Sequence, residues 1–146
     1  MTVPGAYIAD LFSGTGGIAR AARRSGWPSR VWDTKNGAAG DLLRRKVLKE
    51  FEQDVAAGRV LGAVLGPPCS SFSRAFQRVT KWRDERGIVL PGLHAEAAAK
   101  CRQGDACMRV AIRLCRCMAE HGVPWMLEQP HGVAALVQAG GPRIVS

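Results

Sequence analysis

A cysteine stands in the stretch Gly66-Pro67-Pro68-Cys69-Ser70-Ser71-Phe72-Ser73, directly after the apolar run Val60-Leu61-Gly62-Ala63-Val64-Leu65. An apolar run bounded by turn residues reads as a short buried strand. The two prolines lack N–H donors and fix φ, so the strand stops there and the chain turns. Cys69 is therefore expected at the C-terminal edge of a strand, where open α/β sheets bind ligands. As a thiolate it is a nucleophile; as a neutral thiol it is one more small core residue. A second stretch, Tyr7-Ile8-Ala9-Asp10-Leu11-Phe12-Ser13-Gly14-Thr15-Gly16-Gly17-Ile18, reads as strand, glycine-rich turn and helix. Glycines let the backbone approach a ligand closely, and the start of a helix offers free N–H groups to an anion. A tight turn without any ligand uses the same residues, so the loop alone does not identify a cofactor.

Together the two stretches resemble the cytosine-C5 DNA methyltransferases. Asp10-Leu11-Phe12-Ser13-Gly14-Thr15-Gly16-Gly17 resembles that family's S-adenosyl-L-methionine loop, and Pro67-Pro68-Cys69-Ser70-Ser71-Phe72-Ser73 resembles its catalytic Pro-Cys motif. Trp125-Met126-Leu127-Glu128-Gln129-Pro130 resembles its later Glu-Asn motif, with Gln129 where the family has asparagine. The three occur in the family's order. The resemblance implies a Rossmann-like, S-adenosylmethionine-dependent methyltransferase fold of the α/β class with a mostly parallel sheet. C5 of cytosine is a poor nucleophile. A thiolate added to C6 makes C5 enamine-like, able to attack a sulfonium methyl group. The resemblance gives that thiolate role to Cys69. Addition at C6 pushes electron density toward N3, where a positioned acid stabilises it. Glu128, at a strand end before Pro130, fills that role when buried, and the resemblance assigns it there; a surface or capping glutamate is the other reading. Gln129 keeps an amide on a longer side chain, which alters any orienting hydrogen bond.

For the cofactor, the resemblance points to Phe12, Gly14, Gly16 and Gly17 around the methionine part, with Pro68 packed nearby. An acidic residue after a second strand commonly holds ribose hydroxyls, and Asp33 is placed for that job. Asp41, in Gly40-Asp41-Leu42, resembles the family's aspartate facing the adenine amino group; it is equally suited to capping the helix that follows. Beyond Cys69, Arg74, Arg78, Lys81, Arg83 and Arg86 are interleaved with Phe76 and Trp82. Cations with aromatics suit phosphate contact and base stacking. In the family the corresponding loop closes over a base that has left the duplex stack. Arg74, Arg78, Lys81 and Arg83 are thus candidate nucleic-acid contacts, against the plainer reading of a solvated basic loop. His94, His121 and His131 show no metal-ligand spacing, and no metal is expected.

These residues need elements to hold them. Strands alternating with helical patterns predict a parallel sheet with crossover helices. Strands are expected at about Ala6 to Phe12, Arg30 to Asp33, Leu61 to Gly66 and Pro124 to Glu128. A helix from Ile18 to Arg24 is expected to turn Ile18, Ala21 and Ala22 to one face. A helix from Asp41 to Ala57 carries a buried stripe of Val47, Leu48, Phe51 and Val55. The segment from Ser70 to Gly104 reads as irregular. From Ala106 to His121, Cys107, Val110, Ala111, Leu114, Cys115 and Met118 fall at helical spacing. The sheet reads as unfinished at the C-terminus, as for the first part of a catalytic domain.

The 146 residues suffice for one domain with a real core, and 47% of them are hydrophobic, which excludes wholesale disorder. The single unit expected is a partial methyltransferase-like catalytic domain over 1–146, without a visible target-recognition region. The formal net charge of +9 is carried mostly by arginine and favours a polyanionic partner. DNA is the partner the resemblance implies, and a structured RNA satisfies the same motifs. Five cysteines, an odd count, argue against a closed disulfide framework. Cys101, Cys107, Cys115 and Cys117 lack the paired spacing of a zinc knuckle and read as core-facing thiols. No apolar run is long enough to span a membrane, and no signal sequence is visible, so an intracellular location is expected: nuclear in a eukaryote, cytoplasmic in a bacterium or virus. Three readings stay open. They are a cytosine-C5 methyltransferase domain, with a second polypeptide as the candidate partner supplying the missing C-terminal motifs; a non-catalytic module binding nucleic acid or cofactor; and an amino-methylating enzyme, which Cys69 in place of an aromatic disfavours.

Overall fold

The computed structural model describes residues 2–68, 71 and 79–128. Four strands make one sheet: β1 (Tyr7–Leu11), β2 (Ser29–Trp32), β3 (Val60–Leu65) and β4 (Trp125–Leu127). Their spatial order is β2-β1-β3-β4, and every neighbouring pair is parallel. The connections carry α1 (Gly17–Arg24), α2 (Arg45–Ala56) and the long α3 (Ala95–Glu120). Right-handed crossovers in this order put α1 on one face and α2 with α3 on the other. The Arg113 guanidinium joins the latter two, donating to Glu52 at 2.6 and 2.9 Å. The architecture is therefore α/β with an all-parallel sheet, compatible with a Rossmann-like fold.

Alternation along β1 divides its side chains between the faces. Tyr7, Ala9 and Leu11 are buried toward α2 and α3, where they join the expected stripe of Val47, Leu48, Phe51 and Val55 and the α3 residues Ala111, Leu114, Cys115 and Met118. Trp32 packs edge-on against Phe51, with ring centroids 5.2 Å apart. Asp10 points the other way, toward α1. Cys101, Cys107 and Cys115 are buried and Cys117 partly so, as core-facing thiols should be. Among the described residues no group of His, Cys, Asp or Glu could hold a metal ion, and no helix is long and apolar enough to cross a membrane.

Three elements depart from the expected pattern. First, α3 begins at Ala95, inside the segment read as irregular. The His94 ring Nδ1 accepts from the Ala97 N–H at 3.0 Å, so a histidine supplies the cap that spacing alone does not reveal. Second, α2 starts with Arg44 as its cap residue, and Asp41 lies outside it. The Asp41 carboxylate accepts instead from the Leu43 N–H at 3.0 Å, closing a turn before the helix. Third, α1 turns Ala19 to the sheet, while Ile18 is 42% exposed and Ala21 is exposed. The Asp10 carboxylate accepts the Ala19 N–H at 3.0 Å and draws this small residue against the strand.

At the strand starts, the Tyr7 hydroxyl donates to Asp54 at 2.6 Å, and Arg59 and Arg30 approach the same carboxylate at 2.8 and 3.3 Å. Burial pushes the Asp54 carboxyl up, but the Tyr7 hydrogen bond and the two arginines outweigh it and hold the group below the usual carboxylate range. The folded value thus lies below the unfolded one. The stabilisation is present above the ordinary carboxylate range and is lost as pH falls through the lowered folded value. Asp54→Ala is expected to cost about 1–3 kcal/mol at pH 7. Denaturant titrations should show the gap to the parent chain closing below about pH 4; a gap independent of pH would contradict this assignment.

Candidate functional site

The sheet order strings the sequence-predicted residues along one edge. Asp33 follows β2, Phe12 to Gly17 follow β1, Gly66 to Pro68 follow β3, and Glu128 follows β4. The chain leaves β1 toward β2 on one side and returns to β3 on the other. This is a topological switch point, and it opens a crevice beyond the ends of β1 and β3. The Gly66 N–H donates to the Leu11 carbonyl at 3.0 Å, and the Glu128 N–H to the Leu65 carbonyl at 2.8 Å. A β-carbon on Gly66 would sit 3.6 Å from the Phe12 carbonyl oxygen and 3.8 Å from Glu128 Oε2. The glycine loop, the Pro-Pro turn and the Glu128 carboxylate therefore share one mouth. Pro67 is buried, whereas Pro68 is exposed. Glu128 is also exposed rather than buried, because it sits on the open lip of the sheet.

The loop after β1 is tightly wound. Gly14 and Gly16 have φ of 55° and 73°, and Phe12, a bulky residue, has φ of 54°. A non-glycine residue in the left-handed region costs roughly 1–2 kcal/mol and is characteristic of functional turns. Two carboxylates hold this conformation. Asp33 Oδ2 accepts from the Gly14 N–H at 2.8 Å and its Oδ1 from the Lys35 N–H at 2.9 Å. Asp10, buried beneath the loop, takes the Ala19 N–H; burial pushes its carboxyl above the usual range, with the Ala19 and Ile18 N–H groups opposing. The Gly14, Ile18 and Ala19 N–H groups are thus engaged by the chain's own acids. In the same loop the Ser13 hydroxyl oxygen is buried with no hydrogen-bond partner among the described residues. Such an atom calls for an explanation, and a ligand is one.

The far wall is built by close backbone packing. Gly40 lies against Asp33, where a β-carbon would come within 2.2 Å of the Asp33 carbonyl oxygen. This fixes the short helical turns Thr34–Asn36 and Ala38–Gly40, and hence the half-buried Asp41, beside Asp33. Asp33 adjoins the glycine loop through its bond to Gly14, and Asp41 follows Gly40 on the same connection. Asp41 keeps its candidate place in the site, and its proposed role as cap of α2 is withdrawn.

Of the basic candidates, Lys81 is exposed, with φ of 49°. Arg83 is not available to nucleic acid: its side chain is 2% exposed and paired with Asp105 at 2.8 Å. Cys69, Arg74, Arg78, Phe76, Gln129 and Pro130 lie outside the described residues. Asp10, Ser13 and Gly40 stand within motifs read from the sequence, but none of them is given a role of its own there. Asp10 carried a signal, since a charged residue within an apolar strand needs a dedicated partner; Ser13 and Gly40 carried none beyond their place in turns. No family model matches the chain, and no curated protein or solved structure matches it.

Proposed function

We propose that this chain carries out S-adenosylmethionine-dependent methylation of cytosine at C5 in DNA, through a covalent adduct of Cys69. The observation that carries the reading is the convergence at the β1/β3 crevice. Three motif segments far apart in sequence end on adjacent strands, with Gly66 flanked by the Phe12 carbonyl and the Glu128 carboxylate. The walls suit this cofactor. Asp33 can accept ribose hydroxyls, the Ser13 oxygen, without a partner among the described residues, and the open space over Gly14 can admit the amino-acid end, and Asp41 would serve the adenine amino group. Two carboxylates bracketing the loop favour a cationic centre and repel the pyrophosphate of a dinucleotide.

Bound cofactor would supply an electrophilic methyl group. The rest falls to the chain. Cys69 Sγ adds to C6, making C5 nucleophilic; Glu128 holds a proton at N3, where the displaced electron density collects. With the methyl group on C5, the C5 proton passes to water, the C5–H electron pair forms the C5–C6 double bond, the Sγ–C6 bond breaks to return the thiolate, and the N3 proton goes back to Glu128. Lys81, Arg74 and Arg78 would lie along the phosphate backbone. Burial of Glu128 would come from the extrahelical base itself.

The reading is tested by incubating the full chain with S-adenosylmethionine and a duplex containing 5-fluorocytosine. The fluorine cannot leave as a cation, so a denaturation-resistant adduct should accumulate on Cys69, seen by mass spectrometry. Cofactor binding without an adduct would overturn the catalytic claim and favour a binding module. In the same preparation, Asp33→Ala is expected to weaken S-adenosylhomocysteine binding about 10- to 100-fold by calorimetry, the loss due to charge-assisted hydrogen bonds. Unchanged affinity would remove Asp33 from the site.

A further inference from the structure

Arg83 is saturated in a way a surface cation never is. A guanidinium has five N–H donors, and all five are placed. Nε donates to the Ser71 carbonyl at 2.8 Å. Nη2 donates to Ser71 Oγ at 3.0 Å and to the Cys101 carbonyl at 3.1 Å. Nη1 donates to Asp105 Oδ1 and to the Gly87 carbonyl, each at 2.8 Å. Two of these bonds hold Ser71, two reach α3 one helical turn apart, and one closes the local turn. The base of the side chain is itself fixed. Arg83 pairs with Val89 in an antiparallel bridge, Asp84 N–H donates to the Ile88 carbonyl at 2.8 Å, and Leu90 N–H donates to the Trp82 carbonyl at 2.9 Å.

Ser71 is buried and lies two residues beyond Cys69, while Pro67, two residues before it, is buried at the end of β3. We propose that Arg83 is a positioning residue for the Cys69 thiol, anchoring to α3 the chain just beyond the nucleophile as β3 anchors the chain just before it. The proposal rests on the catalytic reading above. It also explains why arginine stands here: lysine presents its donors from one point and cannot serve acceptors spread over Ser71, Gly87, Cys101 and Asp105.

The test uses the full chain and the variants Arg83→Met, Arg83→Lys and Ser71→Ala. In folded Arg83→Met, the rate of adduct formation on 5-fluorocytosine DNA is expected to fall about 100-fold, the scale of a misplaced reacting group. S-adenosylhomocysteine affinity should stay within about two-fold, because its candidate polar contacts, Ser13, Gly14 and Asp33, lie on other strand ends. Arg83→Lys should not restore the rate. Ser71→Ala, which removes one acceptor and spares four, should slow the adduct about 10-fold, and adding it to Arg83→Met should slow it no further. If Arg83→Met does not fold, Ser71→Ala carries the test. Hydrogen exchange gives a readout independent of activity: in Arg83→Met the peptide bearing Ser71 should exchange faster while β1 and α1 stay protected. An unchanged adduct rate, a parallel loss of cofactor affinity, or a uniform rise in exchange overturns the proposal. A parent chain that forms no adduct overturns the catalytic reading, and with it the role at Cys69, even if exchange shows Arg83 ordering Ser71.

Discussion

Cys69→Ala is expected to bring methyl transfer and adduct formation below detection while leaving S-adenosylhomocysteine affinity within about two-fold, since distant contacts are independent. The proposed chemistry demands a thiolate at C6, and alanine offers no nucleophile. No described cysteine can substitute. Cys101, Cys107, Cys115 and Cys117 all lie on α3, the first three buried. Burial raises each of these thiols, that of Cys115 up to about 12, so the reactive anion is disfavoured at neutral pH. The check is a tritiated-methyl transfer assay beside calorimetry on the same folded preparation. Retained transfer would dismiss Cys69 as the nucleophile; equal loss of transfer and binding would show that Cys69 supports the site as a whole.

Gly40→Ala is expected to be the most damaging single change away from the nucleophile. The added carbon would lie 2.2 Å from the Asp33 carbonyl oxygen, 3.0 Å from its nitrogen and 3.1 Å from its carbonyl carbon. These are backbone atoms, which no rotamer change can move aside. Asp33 cannot yield cheaply, because its carboxylate holds Gly14 and Lys35. The cost should be about 2–4 kcal/mol, at the upper end for overpacking. Cofactor affinity should fall with it, since relief of the clash displaces Asp33. Gly37→Ala is the natural control. Its φ of 83° is strained for alanine, but nothing lies within 4 Å of the new carbon, so roughly 1–3 kcal/mol is expected without loss of binding. A Gly40→Ala chain that melts with the parent would refute the packing argument.

The sequence made the strands and the α2 stripe legible because both rest on local periodicity. Each strand falls within a residue of its expected bounds, since apolar runs between turn residues leave little freedom. The start of α3 was hidden because its first turns, Ala95 to Ala99, carry no amphipathic stripe and its cap is a histidine. Asp41 shows the limit of spacing: an acid just before a helix caps it only if the chain enters directly, and here the turn at Leu43 intervenes. Arg83 shows the limit of composition. Its charge and aromatic neighbours suggested phosphate contact, yet its acceptors come from Ser71, Gly87, Cys101 and Asp105, and only the folded chain brings these together. Within the candidate site, sequence order identified the segments; which ones adjoin follows from the sheet order, which no local signal encodes.

The strand starts and strand ends of this sheet are occupied by different kinds of residue. At the starts, Tyr7, Asp54, Arg59 and Arg30 form a closed cluster of hydrogen bonds and charge. At the ends stand a strained Phe12, an unpartnered Ser13 oxygen and an exposed Glu128. Substitutions at positions this far apart combine nearly additively. A lineage carrying this fold could accumulate reserve stability at one pole and draw on it while the other explores new ligands. An engineer would do the same, reinforcing the Asp54 cluster before altering the crevice.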